Sequence, residues 1–210
     1  MGWFDFTRAP PGTAVEMLRL PLFPLNAVLF PGGLLALKIF EQRYLDMAAA
    51  CLKEAKPFGI CLIAGGGETG AAAAPHPVGT LASIANWEME QLGILLVSVS
   101  GGRRFRIIES RVGPANLLEA TVELLAEPQP VAPPPERRRL LPLLRRIVSD
   151  LGPKRIPEPH RFDDAAWVGY RITEVLPIQN LAKQKLLELE DPLARLEILE
   201  TYLDQRKLLG

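Results

Sequence analysis

Residues 18–47, LRLPLFPLNAVLFPGGLLALKIFEQRYLDM, decide how the rest of the chain is read. Pro21, Pro24 and Pro31 each lack an N–H and hold φ near −65°, so the first apolar run cannot be a central strand throughout; it must bend, sit at an edge or cross between sheets. Pro31-Gly32-Gly33 then supplies one fixed and two permissive residues, the chemistry of a tight reversal. The next strand, Leu34 to Phe40, is expected to fold back on the first. It runs into a helix, Glu41 to Ala55, in which Tyr44, Ala48, Cys51, Leu52 and Ala55 recur at helical spacing and mark a core face.

Working outward, an N-terminal arm to about Val15 precedes the first strand. Behind the helix, Pro57 is the stop and FGICLI (58–63) is an apolar run of strand length. GGGETGAAAAPHPVG (65–79) holds five glycines, two prolines and no large apolar anchor, and reads as an exposed, flexible loop. Three strands follow: Gly79 to Glu88, Gly93 to Ser100 and Arg103 to Glu109. Gly101-Gly102 is read as the hairpin turn joining the last two. Alternation sets Phe105 and Ile107 against Arg104 and Arg106, whose face is taken as solvated. After a final strand, Leu117 to Leu125, the five prolines between Pro128 and Pro135 form a stiff linker. The division is therefore 1–127 for a β-rich domain, 128–135 for the linker and 136–210 for a helical bundle.

Beyond the linker the period changes from two to 3.6. Leu140, Leu144, Ile147, Val148 and Leu151 make one apolar stripe, with Pro142 requiring a helix start or a kink there and Gly152-Pro153 ending it. Phe162 to Val175 is a second helix. A third begins at Asn180 as N-cap, and Asp191-Pro192 opens a last one with Pro at its first position. Glu136 to Arg161 carries eight basic and three acidic residues, and Leu181 to Asp204 three basic and six acidic. The two stretches are expected to attract each other.

A chain of 210 residues can bury roughly 70% of its unfolded surface, enough for one substantial core or a β domain with a helical companion. Acidic and basic residues number 24 each, so no global field favours nucleic acid or an anionic membrane surface. Cys51 and Cys61 have no metal-like or CxxC spacing and read as buried thiols. The start MGWFDFTRAPPG has neither the pattern of a secretory signal nor that of a myristoylation site, and no apolar run reaches the ~18 residues of a membrane span. A cytoplasmic location is the expectation.

LPLFPLNAVLFPG, LALKIFEQRYLDM, FGICLI, VGTLASI, GILLVSVSGGRRFRI and KQKLLELEDPLARLEIL, in this order, resemble the amino-terminal domain of the Lon protease family, also found as a free-standing protein. The resemblance runs from about Leu18 to Leu203. It implies an α+β fold: a PUA-like twisted β pseudo-barrel followed by a C-terminal α-helical bundle. In Lon this region recognises substrate and supports oligomers ahead of ATPase and peptidase modules; a related domain in cereblon is a protein-interaction platform. No G-x-x-x-x-G-K-[ST] is present, since GGGETG is followed by alanines. The chain also ends where the family's peptidase module would follow, so neither ATP hydrolysis nor a serine-lysine dyad is expected.

His76 and His160 stand outside any triad or ligand set, and Asp163-Asp164 and Glu188-Glu190-Asp191 read as helix-end charges. No catalytic residue, metal or cofactor is expected. The leading reading is a non-catalytic polypeptide-binding domain for unfolded or apolar segments, working through an apolar groove or an open sheet edge, with a separate protease or ATPase as a further candidate partner. Phe23, Phe30, Phe40 and Tyr44 are the candidate lining residues. The alternative is an RNA-binding PUA-like module using Arg103, Arg104, Arg106 and Arg111, which predicts binding that falls steeply with salt. Zero net charge and the lack of interleaved aromatics on that strand count against it.

Overall fold

The computed structural model describes residues 16–209, so the expected N-terminal arm lies outside the described residues. β1 (Met17–Leu25) is the strand that the prolines divide. From Met17 to Leu22 it pairs antiparallel with β7 (Leu118–Leu124), and from Leu22 to Leu25 it runs parallel to β3 (Phe58–Gly65). The change of partner falls between Pro21 and Pro24, as two missing N–H groups demand. β5 (Val78–Gln91) and β6 (Ile94–Val112) form a long hairpin turned at Leu92-Gly93, where Gly93 takes φ +84°. The pairings β1–β7–β6–β5–β3, closed by β3 on β1, make a twisted five-strand barrel. β4 (Ala74–Pro75) is a short addition to β3, so the 65–79 stretch is partly tied down.

Two local expectations are corrected. β2 (Leu34–Ile39) does not fold back on β1; among the described residues it pairs with β6 alone, Leu34 opposite Ser100 and Ile39 opposite Leu95. The Pro31–Gly33 reversal does form, with Gly33 N donating to Phe30 O at 2.9 Å, but it hands the chain to a different strand. Nor is Gly101-Gly102 a hairpin turn, because β6 runs straight through it for 19 residues. Gly101 is required by close approach instead: a Cβ there would lie 2.1 Å from the carbonyl oxygen of Phe30. Gly32 N donates to Gly101 O at 2.7 Å and Gly101 N to Gly33 O at 2.9 Å, which pins the reversal to β6.

The barrel interior is filled by Leu20, Leu22, Cys61, Phe105, Leu118, Ala120 and Val122. A second apolar layer forms where α1 (Gln42–Glu54) lays Tyr44, Met47, Ala48 and Cys51 on Phe23, Phe58, Ile60, Leu95 and Val97. The expected helix face is shifted slightly, since Leu52 is partly exposed and Ala55 ends the helix in the left-handed region.

The C-terminal part is helical as read. α2 (Leu140–Leu151) holds Pro142 in its first turn, where no intrahelical N–H bond is needed, so no kink is required. α3 (Ala165–Val175) is capped by Asp164, whose Oδ1 accepts from Ala166 N at 2.9 Å. α4 (Asn180–Glu188) starts one residue earlier than expected: Gln179 is the cap position and the Asn180 amide donates to Asn26 O. α5 (Pro192–Gln205) has the expected Asp191 cap, bonded from Leu193 N at 2.8 Å. The opposite charge balances do meet, as Arg137 pairs with Glu200 and Arg139 reaches Asp204 at 2.7 Å.

Barrel and helices share a core of Phe30, Val78, Leu125, Ala166, Tyr170 and Leu187. Burying a ring such as Phe30 there is worth about 2–3 kcal/mol. Polar side chains fasten the same seam. Arg171, fully buried on α3, donates to Gly32 O at 2.6 Å and Pro31 O at 2.7 Å, and Gln184 of α4 donates to Val78 O at 2.9 Å.

Candidate functional site

Of the four aromatic residues expected to line a groove, the structure places three in the core. Phe23 stacks on Tyr44 with centroids 4.0 Å apart, and Phe30 packs on Tyr170 across the barrel–helix seam. These rings hold elements together, so their side chains are not presented to a ligand. Phe40, 57% exposed just after β2, is the one that faces solvent.

The four arginines do not make one basic face. Arg104, expected on a solvated surface, is 3% exposed and donates to Leu187 O at 2.8 Å and Leu189 O at 3.1 Å, fastening β6 to the end of α4. Its guanidinium supplies a donor to carbonyls at the helix end, of which Leu189 O accepts from Arg195 as well. Arg103 pairs with Glu16 at 2.6 Å, Arg106 approaches Glu190 at 3.7 Å and Arg111 meets Glu119 at 2.8 Å.

A concavity of about 950 Å³ lies between α1 and the outer face of β1, β7 and β6. Pairing register explains its sheet wall. Arg19, Thr121 and Glu109 stand side by side across the three strands, and Pro21, Glu119 and Arg111 form the next row. α1 supplies the facing wall through Asp46, Ala50 and Glu54, four residues apart and so on one side of the helix. Met47, Cys51, Pro57 and Leu117 form an apolar floor. Ala49 and Ala50 are exposed and small, which is why the helix leaves the cleft open.

The walls carry donors and acceptors of both charges. Arg111 and Glu119 neutralise each other, as do Lys56 and Glu54 at 2.7 Å. Among the described residues Asp46 accepts only the neutral Gln42 amide, at 2.7 Å. Burial, and then the charge of Glu54, push the Cys51 thiol up, and burial pushes Cys61 up strongly, so neither favours the reactive thiolate. No group of three or more His, Cys, Asp or Glu able to hold a metal occurs among the described residues.

Two other features stand apart from the cleft. The β5–β6 hairpin exposes Trp87 and Met89, opposite Val97 and Leu95, with Leu92 at its tip. Beneath the β1–β2 connection, a cavity of about 130 Å³ is bordered by Glu174, Arg155 and Lys183. Burial pushes the Glu174 carboxyl up to about 7 against the opposing pull of Arg171, Arg155 and Lys183.

The cleft was not legible in the sequence. Its floor and walls come from segments up to a hundred residues apart, and the one local hint was the small pair Ala49-Ala50 on the exposed side of an otherwise amphipathic helix.

The family model of the ATP-dependent protease La (LON) substrate-binding domain matches residues 19–205. A solved Lon N-terminal domain protein from Xanthomonas campestris is 34% identical, superposes with a TM-score of 0.74 and covers 88% of this chain and 98% of its own. The N-terminal domain of a Mycobacterium avium complex Lon protease, 21% identical over 89% of this chain and 97% of its own, shares the fold with a TM-score of 0.63. A search of curated proteins found no match. No helix among the described residues is long and apolar enough to cross a membrane. With the match extending from β1 to the end of α5, the chain belongs to the Lon substrate-binding domain family.

Proposed function

We propose that this protein is a non-catalytic polypeptide-binding module that holds unfolded or apolar segments in the cleft between α1 and β7. The observation that carries the reading is the cleft's composition in a chain of a substrate-binding family: an apolar floor between walls that offer both donors and acceptors. A polypeptide main chain has N–H and C=O groups in equal measure and apolar side chains to bury, so it matches such a surface. A phosphate backbone needs donors and cations, whereas the cleft holds the carboxylates of Asp46, Glu54, Glu109 and Glu119 against three basic residues. β7 is paired on both sides and Pro21 has no N–H, which favours side-chain burial over strand addition as the means of holding a client. A separate ATPase or protease would be the natural consumer of the held segment.

The test is fluorescence anisotropy with two labelled ligands, a permanently unfolded polypeptide and a single-stranded RNA, each at low and high salt. Saturable polypeptide binding that survives high salt supports the reading, because burial of apolar surface is not weakened by screening. Salt-sensitive binding of RNA alone overturns it.

A further inference from the structure

Resting on the polypeptide-binding reading, we infer that the cleft selects a short apolar run flanked by lysine or arginine. Some of the charges in the cleft are already satisfied. Arg111 is engaged by Glu119 and Lys56 by Glu54, each within 3 Å, and these pairs contribute little net field. Arg19, Asp46 and Glu109 are left without an ionic partner among the described residues, two carboxylates to one guanidinium. Asp46 stands on the helical wall and Glu109 on the sheet wall, so a segment lying between them passes a carboxylate on either side.

The end of α1 adds to the same sign. The helix closes at Glu54 beside the cleft, and its last-turn carbonyls place partial negative charge there; among the described residues the Cys51 carbonyl is tied back, by Ala55 N and by Lys56 N at 3.1 Å. Length follows from the same helix. Asp46 to Glu54 spans about 12 Å at 1.5 Å per residue, which matches about four residues of extended chain. An apolar tetrad over Met47, Cys51 and Leu117, with a basic residue beyond it, therefore satisfies both the floor and the unpaired carboxylates.

The test uses the full chain and three labelled peptides that share one apolar tetrad and differ only in flanks: lysine/arginine, glutamine or glutamate. An unfolded polypeptide serves as reference. At low salt the basic-flanked peptide should bind roughly tenfold more tightly than the acidic-flanked one, with the glutamine peptide between. Raised salt, and the double variant D46N/E109Q, should each shrink that gap to about twofold or less, since both carboxylates are exposed and their neutralisation leaves the core intact. Equal affinities, a preference for acidic flanks, or a gap that persists in the double variant overturns this inference while leaving polypeptide binding in place. If the reference polypeptide also fails to bind, the polypeptide-binding reading falls with it.

Discussion

Gly101→Ala probes the junction on which the fold turns. The backbone of Gly101 is in a conformation open to any residue, so space alone decides the outcome. A Cβ would sit 2.1 Å from Phe30 O and 3.0 Å from Phe30 C, and relief requires the Phe30 carbonyl to move by about 1 Å. That carbonyl accepts Gly33 N, while Gly101 exchanges bonds with Gly32 and Gly33, so three backbone hydrogen bonds are strained together. At about 1 kcal/mol each, plus roughly 1–3 kcal/mol for shifting a fully buried ring, the expected loss is about 4–6 kcal/mol. Gly102→Ala is the control: its nearest neighbour is Leu81 Cβ at 3.4 Å, an ordinary contact, and replacing Gly in a strand should be neutral or stabilising by up to about 1 kcal/mol. Urea denaturation followed by far-UV circular dichroism measures both. A Gly101→Ala variant within about 1 kcal/mol of the parent, or a Gly102→Ala variant that is worse, would refute the continuous-strand account.

The remaining predictions concern single groups. Glu174 is raised on folding from 4.5 to about 7, so its contribution is fully present below pH 4.5 and lost as pH rises through 7. The stability difference between the parent and Glu174→Gln should therefore change by at most about 3 kcal/mol across that window, in favour of the parent at the acidic end, as read by thermal unfolding; a flat difference contradicts the buried carboxyl. Asp164→Ala removes the acceptor for Ala166 N and Trp167 N and should cost about 1 kcal/mol in urea denaturation, while Asp164→Asn should recover most of it. Ala50→Glu puts a charge over the apolar floor from an exposed helix position. It should weaken binding of an unfolded polypeptide about tenfold or more in anisotropy with little change in melting temperature.

What the sequence revealed and what it concealed divide along physical lines. Local signals carried well: Asp191-Pro192 opens α5, Gly152 closes α2, and the change of period after residue 135 marks the passage from strands to helices. The α+β architecture followed from these signals and from the family resemblance. Readings that depended on partners were less secure. Gly101-Gly102 has the composition of a turn, but the need for glycine came from Phe30, about 70 residues away. Arg104 alternates with Phe105 as a solvated residue should, yet the α4 terminus covers it. Phe23, Phe30 and Tyr44 drew notice because they are aromatic, the same property that draws them into the core. The cleft itself was out of reach, since its residues are ordinary one by one and acquire meaning only when α1 is laid beside β7.

Amide hydrogen exchange with and without a saturating unfolded polypeptide tests whether a client segment sits between α1 and β7. The account predicts slowed exchange confined mainly to residues 46–57 and 117–121, the backbone bordering the cleft. Unchanged exchange there, with slowing instead at the Trp87, Met89 and Leu92 hairpin, would contradict it and move the binding surface to the far end of β5 and β6.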